Sequence, residues 1–97
     1  MDSKLVVIAT IKAKEGFQKE LGEALLTLIP IAKSEPGYVQ YDLHVSNERS
    51  GEFVFYEIWD DEASLDVHNN TPNMKAFGEK AGKWIESVTL EKYKRLS

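Results

Sequence analysis

The chain has 97 residues, 16 acidic against 12 basic, a net charge of -4 and no cysteine. That length fits one domain spanning 1–97, which as a monomer buries only about 60–70% of its unfolded surface, so association would add stability. The acidic balance argues against a nucleic-acid partner, which needs clustered Lys and Arg, and the missing cysteines exclude disulfides, thiolate zinc sites and a cysteine nucleophile.

Met1 leads directly into an apolar run, without the basic start, apolar stretch of about 7–15 residues and cleavage site of a secretory signal. Nothing approaches the roughly 20 apolar residues of a membrane span. The expectation is a cytoplasmic protein with no membrane partner. Lys92-Tyr93-Lys94-Arg95 is the one basic cluster, and it reads as the edge of a strand.

A first strand is expected over Lys4 to Ala13, closed by the turn Lys14-Glu15-Gly16. Phe17, Leu21, Ala24, Leu25, Leu28 and Ile31 then recur at helical spacing and predict a helix from Phe17 to Lys33, with Pro30 kinking its last turn. Ser34-Glu35-Pro36-Gly37 ends it, because proline disfavours a helical residue before it and glycine tolerates a left-handed turn. From Tyr38 to Ser46 the pattern alternates, Val39, Tyr41, Leu43 and Val45 on one side and Gln40, Asp42 and His44 on the other, as in a half-exposed edge strand. Asn47 to Gly51 suits a hairpin loop returning into a strand over Phe53 to Trp59. Asp60 is placed to cap a short helix, with Asp61 and Glu62 at its positive end, finishing near His68-Asn69-Asn70. Thr71-Pro72 restarts a helix with a hydroxyl cap and a proline in the first turn. Met74, Phe77, Ala81 and Trp84 line one face of it, and a last strand is expected over Ser87 to Leu96.

Two of these strands are apolar on both faces. In Phe53 to Trp59, Phe53, Phe55, Glu57 and Trp59 share one side while Val54, Tyr56 and Ile58 share the other, and Leu5 to Ile11 behaves alike. The chain has helices enough for one layer only. The expected fold is therefore α+β: a ferredoxin-like β-α-β-β-α-β split unit with a four-stranded antiparallel sheet. Its bare face would pack on the sheet of a second copy, closing a homodimeric α+β barrel.

Most chemical motifs are absent. The glycines form neither a phosphate loop nor a dinucleotide fingerprint, and His44 and His68, on different elements, are weak grounds for a metal site. What remains is the helix side of the sheet. His68 has the side chain whose ordinary pKa suits a base at neutrality; alternatively it shields the end of its helix. Glu57 would orient His68, bind a substrate hydroxyl or act as a base after desolvation, or else be satisfied by a lysine or backbone amide. Trp59 would stack on a planar substrate or serve as core. Phe77, Met74 and Trp84 read as core or as a pocket wall, and His44 as a surface or subunit-contact residue.

The segments Glu35-Pro36-Gly37-Tyr38 with Tyr41, Phe55-Tyr56-Glu57-Ile58-Trp59, and Leu65 through His68 to Thr71-Pro72-Asn73-Met74 resemble the antibiotic biosynthesis monooxygenase superfamily, especially its small quinol-monooxygenase-like members. The resemblance implies a homodimer with an apolar cavity between sheet and helices. For many members it also implies oxygen insertion into a phenolic or quinol substrate, with O2 as co-substrate and no metal, haem or flavin. Carried onto this sequence, it gives His68 as base, Glu57 and Tyr41 as hydrogen-bonding groups, and Phe55, Trp59 and Phe77 as aromatic walls. Haem-degrading members are similar too, but their ligand histidine lies on the later helix, where Lys75-Ala76-Phe77-Gly78 has none. Other members isomerise small phosphorylated sugar-like compounds; here His68 and Glu57 would move protons and Lys75 or Lys80 would meet the phosphate. A non-catalytic ligand-binding dimer is the third alternative.

Overall fold

Alternation along the two central strands decides which face of the sheet is dry. In the computed structural model, which describes residues 4–97, the elements are β1 (Leu5–Ala13), α1 (Gln18–Leu26), α2 (Leu28–Lys33), β2 (Tyr38–Val45), β3 (Glu52–Trp59), α3 (Glu62–Asn69), α4 (Pro72–Ala81), a 3-10 turn at Gly82–Trp84, and β4 (Ile85–Lys94). The expectation attached to Met1 lies outside the described residues. The strands form one four-stranded antiparallel sheet in the order β2-β3-β1-β4, the α+β arrangement expected from the element order.

Val7, Ala9 and Ile11 of β1 and Phe53, Phe55, Glu57 and Trp59 of β3 are buried under the helices. The helices supply Leu21, Ala24 and Leu25 from α1, Leu28 and Ala32 from α2, Leu65 and His68 from α3, and Ala81 from α4. On the opposite face, Val6 pairs with Ile58, Ile8 with Tyr56 and Thr10 with Val54, so these half-buried side chains form one apolar strip down the middle of the sheet.

Four local expectations need correction, each for a definite reason. The helix expected over Phe17 to Lys33 is two helices, broken at Thr27, one turn ahead of Pro30. Restarting at Leu28 puts Pro30 in a first helical turn, where its missing N–H is no loss. Thr27 Oγ1 seals the break by donating to the Ala24 carbonyl at 2.5 Å.

In β2, Val39 does not share the side of Tyr41. Tyr38 faces Trp59, Gln40 faces Ile58 and Tyr41 faces Glu57, so Val39 is the extra residue of a β-bulge and Tyr38 turns back to the helix side. The cap of α3 is Asp61 rather than Asp60, its carboxylate accepting from the Ser64 N–H at 2.8 Å. Asp60 pairs with Lys4 at 2.9 Å, and its N–H reaches the Gly37 carbonyl at 2.8 Å. The last strand starts at Ile85, earlier than Ser87, because Lys12 and Ala13 of β1 bulge and extend the pairing back to Ile85. The expected Thr71 cap is present, accepting from Met74 N–H at 3.1 Å.

Candidate functional site

All four strands and all four helices contribute to one apolar cavity of about 260 Å³ between the sheet and the helix layer. β2 brings Tyr41, β3 brings Phe55 and Glu57, α3 ends in it at His68, and α4 contributes Met74, Phe77 and Gly78. Ala9, Ile11, Leu25, Leu28 and Asn69, with Ile85, Val88 and Leu90 of the edge strand, complete the wall. No lysine or arginine lines it; its ionisable members are Tyr41, Glu57 and His68.

His68 is 3% exposed. Its Nδ1 lies 2.5 Å from Glu35 Oε1, and its ring stacks at a tilt on Trp59 with centroids 4.6 Å apart. Tyr41 meets it edge-on at 5.4 Å. With Nδ1 engaged, Nε2 is the ring nitrogen left to meet a bound molecule.

Glu57 is held from within its own strand: Trp59 Nε1 donates to Glu57 Oε1 at 2.9 Å. Residues i and i+2 of a strand share a face, so this pairing follows from the sequence pattern once the strand is known. Burial pushes the Glu57 carboxyl above its ordinary value, opposed by the Trp59 hydrogen bond and the nearby His68, and reinforced by Glu35. Burial, with Glu57 and Glu35 adding, also raises Tyr41, which therefore stays a protonated phenol and an O–H donor. Tyr41 is fixed by stacking on Phe55 at 4.5 Å.

Of the side chains singled out in the sequence, His68, Glu57, Tyr41, Phe55 and Phe77 meet in this cavity. Trp59 does not line it. Its indole has no exposed surface and lies behind Glu57 and His68, so it supports those groups and cannot stack on a ligand there. Glu57 does not orient His68 by a hydrogen bond; Glu35 makes that contact. His44 is exposed on the edge strand, near the Val54 carbonyl at 3.4 Å. Lys75 and Lys80 are exposed and line no part of the cavity.

Glu35 is the participant that sequence reasoning placed in a helix stop and in one of the family-like segments but gave no role in the site. A signal was present: a carboxylate after the last turn of a helix faces the negative end of the dipole, an unfavourable place without another partner. Elsewhere, toward the hairpin end of the sheet, a polar groove of about 450 Å³ lies between Lys12, Arg49, Glu52 and Glu86. There Arg49 grips Glu52 through two hydrogen bonds of 3.0 and 3.1 Å, which locks the hairpin. Among the described residues no cluster of three or more His, Asp or Glu side chains is disposed to hold a metal ion, and no helix is long and apolar enough to cross a membrane.

A family model described as antibiotic biosynthesis monooxygenase matches residues 4–80. "Putative monooxygenase YcnE" of Bacillus subtilis is 33% identical over 87 residues, 90% of each chain. "Uncharacterized protein sll1783" of Synechocystis is 34% identical over 80 residues, covering 82% of this chain but 54% of that one, so this chain spans about half that relative's length. Among solved structures, PA3566 from Pseudomonas aeruginosa superposes with a TM-score of 0.93 at 33% identity, covering 100% of this chain and 98% of its own. SO0527 from Shewanella oneidensis gives 0.87 at 30% identity, with 96% and 91% covered.

Proposed function

This chain belongs to the antibiotic biosynthesis monooxygenase family, and from that premise we propose that it is a cofactor-independent monooxygenase that oxidises a small neutral hydroquinone or phenol with O2. The observation that carries the reading is an apolar cavity with a single imidazole nitrogen, His68 Nε2, and one carboxyl, Glu57, at its polar end. Its volume of about 260 Å³ exceeds the roughly 150 Å³ that holds a benzene ring and suits one or two fused rings. A wall without cations disfavours anionic substituents, which weighs against a phosphorylated substrate and the isomerase reading.

His68 Nε2 takes the proton of a substrate hydroxyl, with Tyr41 O–H and Glu57 hydrogen-bonding its oxygens. The resulting anion passes one electron to O2, and within the apolar site the radical pair combines, forming a C–O bond at a ring carbon. Protonation of the distal oxygen, loss of the ring C–H proton and cleavage of the O–O bond release water and leave a carbonyl or its hydroxyquinone tautomer. Hydroquinone plus O2 thus becomes hydroxyquinone plus water, one oxygen atom in each product. Phe55, Phe77 and Met74 hold the ring plane.

The apolar strip of Val6, Ile8, Val54, Tyr56 and Ile58 supports a homodimer joined sheet to sheet. Oxygen uptake across a panel of quinols tests the activity, with one ¹⁸O atom from ¹⁸O2 appearing in the product. His68→Ala should lower kcat by about 10²–10⁴, the usual worth of a general base. Unchanged turnover in that variant refutes the assignment. Solvent proton exchange without oxygen uptake would establish an isomerase or lyase instead, and saturable quinol binding with neither would leave a binding module.

A further inference from the structure

We infer that Glu35 is a positioning residue that holds His68 as the Nδ1–H tautomer, so that Nε2 presents an unprotonated lone pair to the cavity. The catalytic consequence rests on the function proposed above; the tautomer does not.

The contact is built by a turn laid against one face of α3. Ser64 and His68 are four residues apart and therefore stacked on the same side of that helix. Gly37 lies against the first of them: a Cβ placed on it would fall 2.1 Å from Ser64 Oγ and 2.4 Å from Ser64 Cβ. Glu35 lies against the second, at 2.5 Å. The segment is pinned at both ends, by Glu35 N–H to the Ala32 carbonyl at 3.1 Å and by Asp60 N–H to the Gly37 carbonyl at 2.8 Å. Only a residue without a side chain approaches Ser64 so closely, and that approach sets the distance at which Glu35 meets the imidazole. The side chains are 11% exposed for Glu35 and 4% for His68, so water competes little for the bond.

A carboxylate can only accept, so the neutral imidazole facing it must donate from Nδ1. The other charged or titratable groups facing the ring are Glu57 from β3 and Tyr41 from β2, and neither is hydrogen-bonded to Nδ1. Glu57 is bound to Trp59 instead. The division is therefore clean: Glu35 fixes the ring, and Glu57 remains available to the substrate.

The test uses the full chain, ¹⁵N-labelled, and long-range ¹H–¹⁵N correlation of its imidazoles at a pH where they are neutral. With two histidines in the sequence, His44→Gln assigns the signals. The wild type is expected to show protonated Nδ1 and bare Nε2 at His68. Glu35→Ala should shift the ring toward the Nε2–H form or a mixture, and Glu35→Asp should restore part of the wild-type pattern. A wild-type ring carrying its proton on Nε2, or one unaltered by Glu35→Ala, overturns the inference. On a responsive quinol, Glu35→Gln should lower kcat at least about 10-fold, within the factor of ~10²–10⁴ a general base supplies, while KM changes little. If no quinol is oxidised, the proposed function fails alone and the tautomer result still decides the role of Glu35. Circular dichroism of each variant confirms that the fold is kept; should Glu35→Ala unfold, Glu35→Met, of similar length and without an oxygen to accept the Nδ1 proton, replaces it, and retention of a pure Nδ1–H ring in that variant overturns the inference.

Discussion

Replacing Gly37 by Ala should cost more stability than an exposed turn substitution ordinarily does. Gly37 has φ +80°, and a Cβ there would collide with Ser64 Oγ and Cβ. The left-handed backbone alone costs an alanine roughly 1–2 kcal/mol. The collision adds to this, because Ser64 cannot retreat freely: its N–H and its Oγ both donate to Asp61 Oδ1 at 2.8 Å, forming the cap of α3. Losing that cap costs about 1 kcal/mol, which brings the expected total to about 2–3 kcal/mol. Urea unfolding followed by the fluorescence of buried Trp59 measures it, at one protein concentration so that association does not enter. The steric part can be isolated. Ser64→Gly removes both obstructing atoms and by itself costs only about 0.5 kcal/mol in helix propensity. The double variant should then be more stable than Gly37→Ala by about 0.5 kcal/mol, although it carries two destabilising changes. Ser64→Ala keeps the Cβ that lies 2.4 Å away and should not rescue. A Gly37→Ala loss below about 1 kcal/mol, or equal rescue by alanine and glycine at 64, would refute the close-approach argument.

Other consequences are equally open to measurement. Because burial raises the Glu57 carboxyl above its ordinary value of 4.5, the folded protein binds a proton there that the unfolded chain has lost. Stability relative to Glu57→Gln should accordingly fall as pH rises from about 4.5 through the raised value and then level off, as read from denaturation midpoints; an opposite slope would mean a carboxylate stabilised by its surroundings. Gly78 sits inside α4 with open space where a Cβ would go, so Gly78→Ala should gain about 0.5–1 kcal/mol of thermal stability. Gly78→Leu should instead fill the cavity and raise KM for any ring substrate, visible in steady-state kinetics. If the proposed homodimer joins through the apolar strip of the open sheet face, Ile58→Asp in its middle should yield a monomer by sedimentation velocity while the cavity side stays intact; an unchanged dimer would refute that sheet-to-sheet contact.

The order of elements was legible because alternation in β1 and β3, and the Thr71-Pro72 restart, are local signals that tertiary packing does not override. The same alternation named Phe55 and Glu57 as inward-facing, and the end of α3 named His68. What sequence could not supply was pairwise geometry. Trp59 was open to reading as core or as a stacking platform, and the family resemblance made it a wall, because an aromatic on the inner face is indistinguishable, by pattern, from one placed a layer deeper. Val39 was put on the wrong side because one extra residue in a bulge leaves no mark on the composition of the strand. Glu35 was given no role since its partner His68 lies 33 residues away on α3, a pairing that no local pattern marks. Thr27 as the helix break, in place of a kink at Pro30, follows from where a new first turn can begin, a choice made by the packing of Leu28.

That break has a mechanical meaning. α2 is one and a half turns long, separately started at Leu28 and continued rigidly into Glu35 by the bonds of Ser34 and Glu35 to the Ile31 and Ala32 carbonyls. One end of this short lever forms part of the cavity wall and the other carries the acid beside the imidazole. The wall at Leu28 and the carboxylate beside His68 therefore share one short support, and a substitution that displaces α2 would disturb both together.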